Sequence, residues 1–290
     1  MMDRVKITLK RNYHLFKLLR LPLVAIGAFA RKQHAVVDSF WRSRIDIVRE
    51  SPDNAFIGRV ENAGAIEGDV QIMHNGLKIH VGSYYGDGNT VLLYENKGVH
   101  EPQEERVFNE VLNLLPQDAT MLELGAFWSF YSMTFQAKIK NGVNFLIEPD
   151  QHALISGKHN FRLNNLNGKF FNYFISDENI SGRIPTVTVD QILTDNRITH
   201  LAVLHSDIQG FEMKMLLGAQ CSLKQGKIDY LFISTHSNAL HYACIKFLEE
   251  VDYKIMCEAD LDATYSWDGL IVARRAGLQG PDSFEIYKKR

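Results

Sequence analysis

The residues best suited to chemistry follow two apolar runs in the second half of the chain. The run at residues 201–204 leads to Asp207, and the run at residues 230–233 leads to His236, 29 positions after Asp207. A carboxylate beside an imidazole can form a general base with its orienting partner, or both can bind one metal ion. If the two runs are adjacent strands, they lie ~4.8 Å apart, and both side chains reach one cleft.

Three further residues, His205, Glu212 and His241, extend this hypothesis, and the first two have a structural alternative. His205 shares a strand face with Asp207 but also suits a buried, hydrogen-bonded core position. Glu212 could join Asp207 and His236, or it could simply lie in the first turn of a helix, where the helix dipole favours a carboxylate. A metal-dependent hydrolase would use Asp207, His205, His236 and His241. A catalytic ion usually has three protein ligands, so a metal-free base is preferred to a divalent ion, and no metal ligands are assigned.

A second set of residues follows two earlier apolar runs and could bind a nucleoside. Glu123 and Gly125 come at the end of the run at 121–124, and Glu148 follows the run at 144–147, 25 positions after Glu123. Gly125 lets the backbone approach a ligand closely, and an acid such as Glu148 can accept both ribose hydroxyls. Glu123 has an alternative as a helix-capping acid. A dinucleotide is disfavoured because G-x-G-x-x-G is absent, and a P-loop is excluded because G-x-x-x-x-G-K-[ST] is absent.

The elements that must position these residues alternate between apolar runs and helix-like stretches. The apolar runs are 121–124, 144–147, 170–175, 201–204, 230–233, 254–257 and 270–273. The helix-like stretches are 102–115, 129–140, 150–164, 211–224 and 238–251. This spacing predicts right-handed crossovers and a mostly parallel seven-stranded sheet with helices on both faces. Ligand sites of such sheets lie at the carboxyl ends of the strands, where strand order reverses.

The first hundred residues are organised differently. Residues 71–81 predict a β-hairpin whose Asn75-Gly76 pair suits a type I′ turn, followed by a loop, GSYYGDGN. Residues 51–100 are therefore predicted to be a small β-rich lead-in. The catalytic domain is assigned to residues 101–277, and residues 278–290 to a C-terminal tail.

The N-terminal segment is basic and partly apolar. Residues 1–50 hold 11 Lys and Arg against 4 Asp and Glu, and their longest apolar run, 21–30, is half the length of a membrane span. This favours a basic amphipathic helix, with peripheral membrane contact through residues 1–45 as one hypothesis and packing on the enzyme body as another. A solvated surface helix is the structural alternative, and a cleaved signal peptide is disfavoured.

Composition limits the class of protein. The 290 residues are 46% hydrophobic and 23% charged with a net charge of -2, which is ordinary globular composition and gives no indication of a nucleic-acid partner. Three cysteines without a C-x-x-C pair argue against a disulfide framework or a zinc ribbon, and favour a reducing, cytoplasmic location.

Five motifs occur in the same order as in a known protein family. Over about residues 100–275 the chain resembles the FkbM family of S-adenosylmethionine-dependent methyltransferases. The matching segments are Glu123-Leu124-Gly125-Ala126, Ile147-Glu148-Pro149-Asp150, Asn160-Phe161-Arg162-Leu163-Asn164, Thr188-Val189-Asp190 and the run from Ser206 to Ala219. Ser129 stands where the family has a later glycine, and Gln209 where it has an acid.

The resemblance implies a Rossmann-like class I methyltransferase that uses S-adenosyl-L-methionine, usually to O-methylate a sugar, glycan or other small-molecule acceptor. It implies that Glu123, Gly125 and Ala126 line the methionine end of the cofactor and that Glu148 holds the ribose. Asp177 is a weaker candidate for the adenine edge. Aromatic neighbours such as Phe127 suit the sulfonium cation. A non-catalytic nucleoside-binding protein is a further alternative.

Overall fold

The computed structural model describes residues 37–289, so most of the predicted N-terminal segment, residues 1–36, lies outside the described residues. Twelve strands are present in this part of the chain: β1 Ile66–Glu67, β2 Val70–Ile72, β3 Lys78–His80, β4 Thr120–Leu124, β5 Val143–Ile147, β6 Lys169–Phe171, β7 Phe174–Ile175, β8 Thr186–Val187, β9 Leu201–Ser206, β10 Ile228–Thr235, β11 Tyr253–Ala259 and β12 Gly269–Arg275. The α-helices are α1 Ser39–Glu50, α2 Asp87–Glu95, α3 Pro102–Leu112, α4 Phe130–Lys138, α5 Gln151–Leu163, α6 Val189–Asp195, α7 Glu212–Gly218, α8 Gln220–Lys224 and α9 Asn238–Glu250.

Seven strands form the central sheet, in the order β11-β12-β10-β9-β4-β5-β6. Strands β4, β5, β6, β9 and β10 are parallel, whereas β12 is antiparallel to both β10 and β11. Strand order reverses between β4 and β9, so the carboxyl ends of these two strands mark the switch point at which ligands bind in such sheets. The predicted mostly parallel, seven-stranded α/β fold of the Rossmann-like type is confirmed.

Two buried apolar clusters cover the two faces of the sheet. Within one strand, neighbouring side chains go to opposite clusters: Val203 and Phe232 join the first, Leu204 and Ile233 the second. This alternation explains why β9 and β10 have uninterrupted apolar sequences, because helices cover both faces. The rigid central strands therefore hold the side chains at their carboxyl ends in fixed positions.

Two predicted elements are each divided in the structure. The run at 170–175 splits because the Asn172 amide donates to the Glu148 and Pro149 carbonyls, both at 2.8 Å, and turns the chain away from the sheet. The helix predicted at 211–224 splits at Ala219, where the Asp190 carboxylate accepts the amides that begin α8.

The hairpin in the lead-in is confirmed, but its turn type is different. Strands β2 and β3 pair antiparallel, with Ile72 opposite Lys78. Of the two turn residues only Gly76 has a positive φ, +85°, and its amide donates to the Met73 carbonyl at 3.0 Å. A type I′ turn needs positive φ at both central positions, so the turn is a type I turn closed by a left-handed glycine.

Helices also belong to the lead-in, which the sequence analysis describes as β-rich. Helix α2 begins inside the segment predicted as a loop, and Gly88 within it faces the Trp41 ring of α1. Ile45 and Val48 of α1 join the same apolar cluster as Phe108 of α3. Within residues 37–289, none of the helices combines the length and apolar character needed to cross a membrane.

Candidate active site

The structure brings Asp207 and His236 together at the switch-point edge of the sheet. Strands β9 and β10 are adjacent and parallel, with Ser206 opposite Ile233. The segments that follow the two strands therefore leave the sheet at the same edge. The Nε2 atom of His236 lies 3.2 Å from Oδ1 of Asp207. The adjacency that the sequence predicts is confirmed, and the spacing of one crossover unit places the two side chains in one cleft.

Two more carboxylates flank His236. Oε1 of Glu212, a side chain with 0% exposure at the start of α7, lies 2.8 Å from Nδ1. On the other side, Oδ1 of Asp268 lies 3.4 Å from Nε2. The sequence pattern does not point to Asp268, because candidate residues are expected just after each strand. Asp268 precedes β12, and an antiparallel strand begins at the edge where the parallel strands end.

Charge around His236 determines its protonation. Burial disfavours the imidazolium, but the charge of Asp268 and the hydrogen bonds of Asp207 and Glu212 outweigh it and raise the pKa of His236 to about 10. A histidine charged at neutral pH cannot accept a proton, so of this pair only Asp207 could serve as a base. Gln209, which replaces an acid of the family pattern, donates to Asp207 Oδ1 at 2.9 Å and helps to orient it.

The structure places His205 and His241 in other environments. Nε2 of His205 lies 2.8 Å from Oε1 of Glu104, and the imidazole ring packs 4.2 Å from the Tyr131 ring. The Glu104 charge outweighs burial and raises the pKa of His205. Nδ1 of His241 lies 2.8 Å from the Thr235 hydroxyl, and burial lowers the pKa of this histidine. The four-residue set of the hydrolase hypothesis is therefore divided, and His205 occupies the buried, hydrogen-bonded position named as its alternative.

Helix α3 supplies buried carboxylates close to the site. Oε1 of Glu105 accepts the His100 and Glu101 amides at 2.8 and 2.9 Å, which caps the helix. The same carboxylate lies 2.6 Å from His100 Nδ1 and 3.1 Å from His74 Nε2. A small cavity between α3 and the cluster around His236 is lined by residues that include Glu101, Glu104, Ser234 and Asp268.

At the neighbouring strand ends lie the residues expected to hold a nucleoside. The Glu148 carboxylate is buried; one of its oxygens accepts the Phe127 amide at 3.0 Å, and the other accepts the Asp150 amide at 2.8 Å. Burial raises the pKa of Glu148 to about 7. Each carboxylate oxygen has a second lone pair, so Glu148 retains acceptor capacity for the two hydroxyls of a ribose.

Glu123 and Gly125 lie deeper than the resemblance implies. Glu123 accepts the Ser132 amide of α4 at 3.2 Å, as its helix-capping alternative predicts, and burial raises its pKa to about 7. Gly125 has a φ of +74°, and a Cβ built on it would lie 1.9 Å from the Asp207 carbonyl oxygen. This glycine therefore lets the loop after β4 pack against the exit of β9, which places Asp207 next to the nucleoside end.

Three other residues are predicted to bind the cofactor. Ala126 and Phe127 lie in the loop after β4, whereas Asp177 lies apart from them. Ala126 is buried, and its amide donates to the Ile147 carbonyl at 3.0 Å. Phe127 packs its ring 5.3 Å from Tyr84, which in turn stacks on Trp128 at 4.5 Å. This aromatic wall includes Tyr84 from the segment predicted as a loop. Asp177 is exposed, and its hydrogen bond from Ser176 lowers its pKa.

The residues at this edge fit S-adenosylmethionine in their chemistry. Glu148 offers a buried acceptor of raised pKa to a diol, and hydrogen bonds donated to the ionised form would stabilise it. The carboxylates and the aromatic wall suit a ligand that carries positive charge. An acceptor beside Asp207 would then lie next to the cofactor, because Gly125 and Asp207 are in contact.

Comparison with known proteins gives a family match and low-scoring structural likenesses. The family model of the methyltransferase FkbM domain matches residues 80–255. No curated protein matches the chain. A methyltransferase FkbM structure from Methylobacillus flagellatus KT is 18% identical with a TM-score of 0.45, and the alignment covers 55% of this chain and 44% of that one. The chain thus spans less than half the length of that protein.

Two other solved structures align with a similar fraction of this chain. Precorrin-6y C5,15-methyltransferase from Geobacter metallireducens GS-15 is 13% identical with a TM-score of 0.42, over 59% of this chain and 89% of that one. TrmK from M. capricolum, solved with S-adenosylhomocysteine, is 12% identical with a TM-score of 0.41, over 60% of this chain and 71% of that one. These low scores carry no argument about the site. The family match covers more than half of the 290 residues, and the chain therefore belongs to the FkbM methyltransferase family.

Proposed function

We propose that the protein is an S-adenosylmethionine-dependent methyltransferase that methylates a hydroxyl of a sugar, glycan or other small-molecule acceptor. The observation that carries the proposal is the contact between the two predicted sites. Gly125 of the cofactor loop packs against the Asp207 backbone, so a base lies beside the nucleoside end of the sheet. Membership of the FkbM family supports the same conclusion.

The chain provides separate groups for the separate parts of the cofactor. Glu148 would accept the ribose hydroxyls, and Glu123, Gly125 and Ala126 would lie at the methionine end. When bound, the cofactor supplies a methyl group already activated by its positive sulfonium. The tasks left to the protein are to align the acceptor, exclude water and remove the acceptor proton.

Asp207 is the proposed base for the acceptor hydroxyl. It is 24% exposed, so a substrate can reach it, and His236 and Gln209 hold its Oδ1 from two sides. His236 is itself fixed by the buried Glu212 carboxylate. His236 therefore acts as a positioning residue, and the proton of the acceptor goes to Asp207. The wall of Tyr84 and Phe127 excludes water from the cofactor loop.

The cofactor assignment is tested by calorimetry with S-adenosylhomocysteine on the full chain. We expect micromolar binding, and we expect Glu148→Ala to weaken it by ~1.5–3 kcal/mol, the range for hydrogen bonds to a charged group. Glu178→Ala, which removes an exposed carboxylate, is the matched control and should leave binding unchanged. If the wild type binds no S-adenosylhomocysteine, or binds NAD tightly instead, the methyltransferase proposal is wrong.

The acceptor class is tested with methyl-labelled cofactor and a glycan extract. We expect label in an O-methyl group of a product, at a rate that depends on Asp207. Label on nitrogen or carbon would overturn the O-methylation part of the proposal and leave the cofactor assignment standing.

A further inference from the structure

The group around His236 has the composition of a metal site. One ligand atom each from Asp207, His236 and Asp268 lies within 4.8 Å of the others, and no other group of this kind occurs within residues 37–289. From the sequence alone a metal is disfavoured, because only Asp207 and His236 are well placed and a third protein ligand is not identified. Asp268 is such a ligand, brought to the site by the antiparallel strand β12.

The distances suit one small cation. Nε2 of His236 lies 3.2 Å from Asp207 Oδ1 and 3.4 Å from Asp268 Oδ1. Ligand atoms ~2.1 Å from a cation are about 3.0 Å apart at a right angle and about 3.4 Å apart at the tetrahedral angle. The three side chains would therefore need little movement to bind a cation between them.

His236 is arranged as a metal ligand with a supporting carboxylate. Glu212 lies 2.8 Å from Nδ1, and its Oε1 also accepts the Gly210 amide at 2.9 Å, which fixes its orientation. A proton held on Nδ1 leaves the lone pair of Nε2 directed toward Asp207 and Asp268. The His236 side chain is 9% exposed, and its buried Nε2 faces both aspartates, at 3.2 Å from Asp207 and 3.4 Å from Asp268. Carboxylate–histidine–metal arrangements of this kind orient the first ligands of metal sites.

Charge favours a divalent ion at the same place. Asp207, Glu212 and Asp268 contribute three negative charges around one imidazole, all in a part-buried environment. A protonated imidazole leaves this group at -2, whereas a divalent cation with a neutral imidazole leaves it at -1. Uncompensated charge is costly to bury, so the divalent ion is the better counter-charge.

We propose that Asp207, His236 and Asp268 bind one divalent cation of the Mn²⁺ or Mg²⁺ type, with Glu212 orienting His236. Two carboxylates and one imidazole form an oxygen-rich set, which suits these ions. Three protein ligands leave positions open for oxygens of the acceptor. The catalytic consequence rests on the proposed function: the ion, bound to one Asp207 oxygen, would lower the pKa of a bound hydroxyl, whose proton would pass to the other Asp207 oxygen. The ion would also select acceptors with a second oxygen close enough to chelate.

The experiment is Mn²⁺ binding, followed by electron paramagnetic resonance, on the full chain after EDTA treatment. We expect one Mn²⁺ per chain, displaced by excess Mg²⁺. Asp268→Asn and Asp207→Asn should each weaken Mn²⁺ binding at least ~10-fold, and Glu212→Gln ~10–100-fold, the usual effect of removing a supporting carboxylate. Asp282→Asn, at an exposed aspartate that pairs with Lys254, is the matched control and should bind like the wild type.

The metal proposal is overturned if the wild type binds no Mn²⁺, or if Asp268→Asn and Asp207→Asn both bind it normally. The two variants come from different strands, and thermal unfolding of each identifies a variant that fails to fold. Calorimetry with S-adenosylhomocysteine on the same preparations separates the two proposals. Cofactor binding without Mn²⁺ binding leaves His236 as an imidazolium and rejects only the metal, whereas Mn²⁺ binding without cofactor binding rejects the methyltransferase.

Discussion

Asp207 lies where the loop after β4, the end of β9 and the carboxylates around His236 meet. Its backbone amide donates to Leu124 at 3.0 Å, and its carbonyl packs against Gly125. Its carboxylate faces His236. Under the proposed function, its backbone would therefore lie at the cofactor end of the site and its side chain would take part in the chemistry.

Removing the charge of Asp207 tests this division. We expect Asp207→Asn to lower turnover on the true acceptor at least ~100-fold, because general-base contributions run ~10²–10⁴. Affinity for S-adenosylhomocysteine should stay within a few-fold, since asparagine keeps the backbone contacts. Steady-state kinetics and calorimetry give the two values, with Asp118→Asn, at an exposed position, as the control. Near-normal turnover in both Asp207→Asn and His236→Ala would mean that the catalytic centre lies elsewhere.

At the scale of elements, α1 holds one side of the site through aromatic contacts. Trp41 of α1 stacks on Trp267 at 6.0 Å, and Trp267 immediately precedes Asp268. Arg44, also of α1, is buried and lies over the Trp267 ring at 4.6 Å from its centroid. The segment that leads into β12 therefore packs against α1, which precedes the family-matched region.

Gly88 sets the distance between α1 and α2. A Cβ on Gly88 would lie 2.1 Å from Cδ2 of Trp41, so Gly88→Ala must displace the indole. Alanine in an ordinary helix gains about 1 kcal/mol over glycine, whereas overpacking costs ~1–3 kcal/mol. We expect Gly88→Ala to lower the thermal midpoint, and Gly58→Ala, with open space around it, to leave it nearly unchanged. A raised midpoint for Gly88→Ala would contradict the packing argument.

At the scale of the whole molecule, stability should depend on pH through the buried pair of His100 and Glu105. Although burial opposes it, the charge of Glu105 raises the pKa of His100 to about 10. The folded state therefore holds a proton that the unfolded state releases near pH 6.5. This contribution is fully present below about pH 6.5 and is lost as pH rises through about 10, at up to roughly 1.4 kcal/mol per pH unit.

Thermal unfolding at several pH values between 6.5 and 9.5 measures this dependence. The midpoint of the wild type should fall across the range, and His100→Gln should show a shallower fall from a lower starting value. His152→Gln, at an exposed histidine, should keep the wild-type slope. An unchanged slope in His100→Gln would show that the proton is held elsewhere.

Membrane contact through the basic N-terminal segment is a proposal that concerns the whole molecule. Residues 1–50 carry a balance of +7, from 11 basic and 4 acidic side chains, and peripheral contact with anionic membranes is one consequence. Each Lys or Arg near such a surface contributes about 1 kcal/mol, so replacing Lys17 and Arg20 by Gln should weaken binding to phosphatidylserine vesicles roughly 30-fold. Co-sedimentation measures this, with Lys224→Gln/Lys246→Gln as the control. Equal sedimentation of all three proteins would remove the membrane hypothesis.

The sequence by itself determined the sheet and the strand ends. Continuous apolar runs at crossover spacing specify strands buried on both faces, so seven runs were enough to predict a seven-stranded sheet. Because parallel strands end at one edge, the same pattern predicted that Asp207 and His236 meet. These features depend on local periodicity and on general rules of chain connection, which a single sequence contains.

Only the tertiary structure decided which other groups join that edge. Asp268 arrives because β12 runs antiparallel, and direction within a sheet is a property of long-range pairing rather than of the apolar run itself. His205 is withdrawn from the cluster by Glu104, 101 positions away in the chain. Helix α2 forms around glycines that local propensity assigns to a loop, because Trp41 packs on it. Contacts between distant residues override local preference, and no spacing rule encodes them.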